Sequence, residues 1–211
     1  WDRTLAVWSL EDGSQLQVLS GHTSQVLSVK ADWQTRSAVS ASADGTLRVW
    51  RGICGGDGAP AASSVALAAS RGELAEHGAF CVDVDWASGH ALAGLANGSC
   101  ALWNIGSPSL VATISGHSRA VWDVSLHWAG GRAMSAGADM DIRLWDVHCG
   151  VALRVFEGHS GIVWQLLVDW AEGIVVSASH DATLRVWDLG GGHCRRTMRG
   201  HAKSIFGLTA V

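Results

Sequence analysis

Three sets of residues carry the groups that hydrolytic chemistry uses. His22 with Ser40 and Asp44, His117 with Ser135 and Asp139, and His159 with Ser177 and Asp181 each combine an imidazole, a hydroxyl and a carboxylate at the same separations. In a serine hydrolase the carboxylate orients the imidazole, which takes the hydroxyl proton as the oxygen attacks an acyl carbon. A single set would suggest acyl transfer. Three sets, each with a tryptophan ten residues beyond the serine (Trp50, Trp145, Trp187), suggest instead a structural device copied along with the fold. An active site is normally built once, so no catalytic residue and no enzyme activity is expected.

The elements that position these residues repeat with them. Gly21-His22, Gly116-His117, Gly158-His159 and Gly200-His201 open successive units, and the last three histidines are 42 residues apart. Trp33, Trp86, Trp128 and Trp170 are each followed 17 residues later by Trp50, Trp103, Trp145 and Trp187. Self-similarity at this period marks a propeller blade of four strands rather than a helical solenoid. In the third unit, Ala120 to Leu126, Gly130 to Ala138, Asp141 to Asp146 and Val151 to Gly158 are short apolar runs split by turn residues, as strands are. The second and third strands meet at Asp44-Gly45, Asn97-Gly98, Asp139-Met140 and Asp181-Ala182. Asp-Gly and Asn-Gly are hairpin signals because glycine accepts positive φ. Nowhere do apolar residues recur at three- and four-residue spacing for more than a turn or two, so an all-β chain is expected. Radial packing of four-stranded sheets leaves only short edges exposed.

With Gly-His, the Ser-x-x-x-Asp element and the pairs Trp145-Asp146 and Trp187-Asp188, the chain resembles the WD40-repeat family over nearly its whole length. In two places it departs from the family pattern. Asp-Trp or His-Trp stands where Ser-Pro-Asp-Gly is usual, and Trp50 is followed by Arg51. The resemblance implies a WD40 β-propeller of four-stranded antiparallel blades, with four complete blades and partial blades at both ends. The blades are expected at 21–73, 74–115, 116–157 and 158–199, flanked by a partial blade at 1–20 and the start of another at 200–211. The simplest inference is part of a larger, seven-bladed ring, since WD40 propellers most often have seven blades and the chain starts at Trp1. The alternative is a five-bladed ring whose termini share one blade, with that blade's second strand missing. The resemblance also implies that His22, Ser40, Asp44 and Trp50, their counterparts His117, Ser135, Asp139 and Trp145, and His159, Ser177, Asp181 and Trp187 form buried hydrogen-bonded tetrads. Their donors and acceptors suit such a chain of bonds, since indole only donates, hydroxyl and neutral imidazole do both, and carboxylate accepts.

The second complete unit breaks the pattern. In register with Trp103, alanine stands at the serine position (Ala93), asparagine at the aspartate position (Asn97) and alanine at the histidine position (Ala75), with His77 displaced by two. A tetrad is not expected there. The connection before it, Arg51 to Glu76, is rich in Gly, Ala and Ser and reads as a surface loop between propeller strands.

Five residues after the Gly-His histidines lie Leu27, Trp122, Trp164 and Phe206, and Phe80 takes the same place by the tryptophan register. Because side chains alternate along a strand, these five and their preceding neighbours Val26, Val121, Val163 and Ile205 should face opposite ways, one set into the core. By the resemblance, the five open onto the rim around the central channel, where partners dock. Aromatic anchors there would suit a protein-interaction hot spot; the competing reading is that they pack between blades. Arg48, Arg143 and Arg185 read as solvated third-strand side chains. His90, His127 and His180 show no partner pattern, and the pairs His148-Cys149 and His193-Cys194 fall out of register, so no metal site is expected.

Composition narrows the function. The net charge is −4 with no Lys/Arg run, which argues against a nucleic-acid or anionic-membrane footprint. No glycine-rich phosphate loop runs from a strand into a helix, and no signal peptide or membrane-spanning run appears. Five cysteines without a Cys-x-x-Cys pair read as reduced thiols. The expectation is a cytoplasmic, non-catalytic protein–protein interaction scaffold with no cofactor and no small-molecule substrate. Its competitors are the regulatory region of a larger enzyme and an architectural subunit of a permanent complex.

Overall fold

The computed structural model describes residues 2–54, 63–67 and 77–209. A hairpin, β1 (Thr4–Trp8) and β2 (Gln15–Ser20), precedes four antiparallel sheets. They comprise β3 (Val26–Asp32), β4 (Ser37–Ser42), β5 (Leu47–Arg51) and β6 (Ser63–Leu67); β7 (Ala79–Asp85), β8 (His90–Leu95), β9 (Ser99–Asn104) and β10 (Ser109–Ser115); β11 (Val121–His127), β12 (Arg132–Gly137), β13 (Ile142–Asp146) and β14 (Val151–Phe156); β15 (Val163–Asp169), β16 (Ile174–Ser179), β17 (Leu184–Asp188) and β18 (Cys194–Met198). Strand order in each sheet follows chain order, and the first strands β3, β7, β11 and β15 lie side by side.

Burial explains the Ser/Ala runs. Each second strand is sandwiched between neighbouring sheets, and β4 is buried at every position. Small side chains let the sheets approach, while larger ones fill the gaps between them. Val39 and Val49 meet Val82, Ala91 and Trp103 between the first two sheets. Leu92 and Leu102 meet Val124 and Trp145 between the next pair, and Met134 and Leu144 meet Leu166 and Trp187 between the last. Each fully buried Leu or Val contributes about 1.5–3 kcal/mol of transfer free energy.

A second tryptophan series closes the opposite ends of these interfaces. Trp128 stacks on His90 of the preceding sheet, with centroids 3.6 Å apart and planes at 7°. Trp170 stacks on His127 at 5.3 Å, and its indole N–H donates to Ser125 Oγ at 3.3 Å. Trp86 lines a notch with Val49 and Arg51 of the first sheet. Trp86, Trp128 and Trp170 thus plug the gaps between sheets, whereas Trp33 is 65% exposed; His90 and His127, which showed no partner pattern in the sequence, are the surfaces on which Trp128 and Trp170 rest. His180 also has a partner, since its Nδ1 lies 2.7 Å from Ser204 Oγ.

Several expectations need correction. The segment Arg51 to Glu76, read as a loop, contains the fourth strand β6, whose short Ser-Ser-Val-Ala-Leu run becomes a strand through pairing with β5. The rest of that segment beyond Cys54, with the Ala75 histidine position, lies outside the described residues. The first strand expected after Lys203 is not formed among residues 203–209, because strand geometry is fixed by a pairing partner and none of the described residues pairs with it. Ile205 N–H still reaches Ser179 O at 3.1 Å. The alternation assumed along the first strands is broken, because register skips Leu27, Phe80, Trp122 and Trp164. Each is the extra residue of a β-bulge, which re-aims a side chain.

The turns between second and third strands place Gly45, Gly98, Met140 and Ala182 at φ of 79°, 88°, 75° and 63°. At this position a side chain costs about 1–2 kcal/mol, partly offset by the greater freedom of glycine in the unfolded chain, about 0.4–1 kcal/mol. Ala182→Gly is therefore expected to stabilise the protein by about 0.5–1 kcal/mol, read as a higher urea midpoint. An unchanged or lower midpoint would show that the turn carries no such strain.

Candidate functional site

The structure brings each His–Ser–Asp–Trp set together. In the first sheet, Trp50 Nε1 donates to Ser40 Oγ at 2.9 Å, Ser40 Oγ lies 2.8 Å from His22 Nε2, and His22 Nδ1 lies 2.8 Å from Asp44 Oδ2. In the third, the distances from Trp145 through Ser135 and His117 to Asp139 are 2.8, 2.7 and 2.8 Å. In the fourth, those from Trp187 through Ser177 and His159 to Asp181 are 2.8, 2.7 and 2.8 Å. An indole can only donate, so the serine hydroxyl must pass its proton to Nε2, which leaves Nδ1–H for the carboxylate. This order fixes a neutral imidazole.

Local sequence builds the acceptor end. Asp44 sits in the turn after β4, where Oδ1 takes the Thr46 N–H and hydroxyl at 2.9 and 2.6 Å while Oδ2 takes the Thr23 N–H at 2.9 Å. Burial raises the Asp44 carboxyl, but the hydrogen bonds from Thr46, Thr23 and His22 outweigh it and hold the group down to about 2. Asp139 and Asp181 are lowered against the same opposition. Burial pushes His22 and His159 below the ordinary imidazole value, with Asp44 and Asp181 opposing it. Ser40, Ser135 and Ser177 are 0% exposed, so none offers its oxygen to a substrate. The geometry can clamp strands but cannot present a nucleophile.

The arginines expected in solvent cover these sets. Arg48, Arg143 and Arg185 lie two residues before the buried tryptophans, hence on the same strand face, and each has a buried Nε without a hydrogen-bond partner. Their guanidinium groups press on the Gly-His loop. A Cβ on Gly158, where φ is +143°, would stand 2.6 Å from Arg185 Nη1. Glycine is needed there for both conformation and space. In the second sheet, Ala93 and Asn97 take the serine and aspartate positions, and Asn97 Oδ1 serves only its own turn by accepting the Ser99 N–H at 3.0 Å.

The bulge residues also come together. Ring centroids of Phe80 and Trp122 lie 4.8 Å apart, those of Trp122 and Trp164 4.8 Å, and those of Trp164 and Phe206 5.3 Å. One aromatic row therefore crosses two sheet boundaries and extends to the segment after β18. The indole N–H groups of Trp122 and Trp164 are buried without an acceptor, unlike those of Trp50, Trp145 and Trp187. Leu27 does not join the row; it is 43% exposed, and the terminal Phe206 is 67% exposed.

A set of inner-strand ties escaped the sequence reading. Asp83 Oδ2 accepts the Leu126 N–H at 2.8 Å, Asp123 Oδ2 accepts the Leu166 N–H at 2.8 Å, and Gln165 Oε1 accepts the Leu208 N–H at 2.6 Å. The first two join one first strand to the next, and the third ties β15 to the segment after β18. A polar residue just after the bulge position in Asp123 and Gln165 was the available signal, but a single alternating polar residue looks like a solvated strand face. Burial pushes the Asp123 carboxyl up to about 6, against N–H bonds from Leu166 and Val124 and the charge of Lys30. Burial likewise raises the thiols of Cys81 and Cys100, the latter to about 12. Among the described residues no cluster of His, Cys, Asp or Glu is arranged to hold a metal ion, and no helix is long and apolar enough to cross a membrane.

Comparison with known proteins agrees with this geometry. The sequence profile described as "WD domain, G-beta repeat" matches residues 13–51, 108–146 and 150–188, and each stretch contains one of the three hydrogen-bonded sets. Autophagy-related protein 16 of Arabidopsis thaliana is 30% identical over 126 residues, covering 58% of this chain and 22% of that protein. Eukaryotic translation initiation factor 3 subunit I of Xenopus tropicalis is 43% identical over 49 residues, covering 23% of this chain and 15% of that protein. The chain thus spans well under two thirds of the length of these curated relatives. Among solved structures, the computationally designed Ika8 protein superposes with a TM-score of 0.79 at 25% identity, covering 100% of this chain and 60% of that one.

Asp139→Ala leaves buried His117 without its acceptor and is expected to cost about 1–3 kcal/mol of stability; an unchanged melting temperature would contradict that. Acid should also weaken the fold. The unfolded chain takes up protons near 6.5 that His22 and His159 refuse when folded, so stability falls as pH drops below that value. Asp123 works in reverse, because its folded carboxyl titrates at about 6 against 3.8 unfolded, so its protonation on acidification favours the folded state. Asp123→Asn removes this gain and should steepen the loss of stability between about pH 7 and pH 5, measured as melting temperature against pH. An equal or shallower slope would show that Asp123 is not held up in this way.

Proposed function

Because this chain belongs to the WD40-repeat family, whose members generally act as protein-interaction scaffolds, we propose that it is a non-catalytic platform that takes partner peptides or domains on the propeller rim near the central channel. The observation that carries this reading is the row Phe80, Trp122, Trp164 and Phe206, with Leu27 exposed at the equivalent position of the first sheet. Bulges aim Leu27, Phe80, Trp122 and Trp164 away from the regular strand alternation, and Leu27 and Phe206 keep much of their surface exposed. Large rings held by one another lose little conformational freedom when a partner lands on them, so more of the contact energy becomes affinity. The three His–Ser–Asp–Trp sets serve this function as clamps that keep the strands and turns around the row in place. One relative is by name a subunit of a translation initiation factor, in keeping with a chain that works by binding other proteins.

The test is affinity capture from native lysate with the wild-type chain, a Trp122→Ala/Trp164→Ala double variant and a Phe206→Ala single variant, each first checked for native circular dichroism. Loss of the same specific partners from both folded variants is the expected result. Retention of the full partner set by both would remove the row from the binding surface.

A further inference from the structure

The outer edge of the first sheet differs from every other outer edge among the described residues. In four of the five outer pairs, register skips one residue of the outer strand beside a tryptophan. Leu16 is skipped next to Trp8, Val111 next to Trp103, Leu153 next to Trp145 and Arg195 next to Trp187. Such bulges twist an edge out of the flat geometry that a new strand needs, which is one way proteins block unwanted edge pairing. The pairing of β5 with β6 has no skip: Leu47 to Arg51 oppose Leu67 to Ser63 one for one, with Trp50 directly across from Ser64. The strand Ser63-Ser64-Val65-Ala66-Leu67 also carries no charge and no proline, so it lacks the other common protections of an edge.

The two faces of this edge differ in chemistry. Val65 lies across from Val49 and is 46% exposed. On the other face, Ser64 and Ala66 lie across from Trp50 and Arg48, and Arg48 Nη1 donates to Ser64 Oγ at 3.2 Å. Arg48 Nε is buried without a hydrogen-bond partner, as are those of Arg143 and Arg185, so only the outer nitrogens of the guanidinium can meet a ligand. Among the described residues no carboxylate pairs with Arg48, whereas Arg143 has Asp141 at 3.4 Å. A strand laid along β6 would place alternate side chains beside Val65 and beside the Arg48 guanidinium. The first site favours a β-branched apolar residue and the second a carboxylate.

We propose that β6 is a second docking edge, separate from the aromatic row, which takes an extended peptide of alternating apolar and acidic residues as a fifth, antiparallel strand. Backbone hydrogen bonds supply the attachment, while Val65 and Arg48 select the sequence, as in other cases of strand addition.

The experiment uses the whole chain and the capped peptide Glu-Val-Glu-Val-Glu, with its Lys-Val-Lys-Val-Lys counterpart and a version N-methylated at both valines as controls. Fluorescence anisotropy of the labelled peptides should show saturable binding of the acidic peptide, and binding at least about tenfold weaker for each control. Hydrogen exchange should show the outward-facing amides of Ser63–Leu67, those not bonded to β5, exchanging fast in the free chain and about tenfold slower with the acidic peptide bound. Arg48→Gln should reduce the preference for the acidic over the basic peptide. Because the N-methylated peptide tests the backbone contact without altering the protein, failure of a variant to fold leaves the outcome readable. The proposal is overturned by no saturable binding, by equal binding of the N-methylated or basic peptide, or by outward-facing amides of β6 that are already protected in the free chain. It is also overturned if β6 protection rises with protein concentration alone, since the occupant would then be a second copy.

Discussion

Three indole N–H groups buried between sheets are each given an acceptor, and much of this architecture follows from how that demand is met. Trp50, Trp145 and Trp187 are among the largest fully buried side chains, and leaving one buried polar group unsatisfied costs about 1–3 kcal/mol. Each indole donates to a serine on the adjacent second strand, that serine to a histidine in the loop entering the sheet, and that histidine to an aspartate in the hairpin turn. Four segments distant in sequence are therefore held by one proton order, which works only with a neutral imidazole and an ionised carboxylate. The same constraint explains why the set cannot act as a hydrolase: the serine oxygen is committed on both sides and sealed from solvent.

The second sheet is held without this chain of bonds. It lacks the histidine, serine and aspartate of the chain, yet it is tied to the third sheet along the inner strands. Asp83 and Asp85 on β7 both accept backbone N–H groups of that neighbour, at Leu126 and Trp128. The third sheet has such an inner tie as well, from Asp123 to Leu166, beside its His–Ser–Asp–Trp set. Side chains rather than a continuous backbone ladder join one sheet to the next, so every boundary is a separate packing problem with its own mixture of aromatic stacking, carboxylate ties and apolar filling. Rigid sheets joined in this way can hold side chains at their inner ends in fixed positions, which is the physical property an interaction platform needs.

Repetition made much of this legible. A strict period in the Gly-His and tryptophan marks identified the unit, and apolar runs between turn residues gave strands that agree with β11, β12, β13 and β14 to within two residues at most ends. The recurring spacing of His117, Ser135, Asp139 and Trp145 suggested a repeated structural device, and the resemblance to WD40 repeats implied that they meet. What escaped the sequence was whatever happened once or broke a local rule. The β6 strand, set in a Gly-, Ala- and Ser-rich stretch, carries too little apolar pattern to be read without its partner β5. The skipped residues at Leu27, Phe80, Trp122 and Trp164 could not be seen, because a bulge is a relation between two strands and leaves each one looking regular.

The sequence by itself determined the unit, its four strands and the residue types of the hydrogen-bonded sets, because each rests on local propensity and on a spacing copied from unit to unit. Only the tertiary structure decided which faces those residues meet. It set His90 and His127 beneath Trp128 and Trp170, aligned Phe80, Trp122, Trp164 and Phe206 into one row, laid Arg48, Arg143 and Arg185 over the Gly-His loops, and carried the carboxylate of Asp123 across to the next inner strand. These are contacts between separate sheets, and their geometry depends on how the sheets pack against one another, a quantity that no single strand encodes.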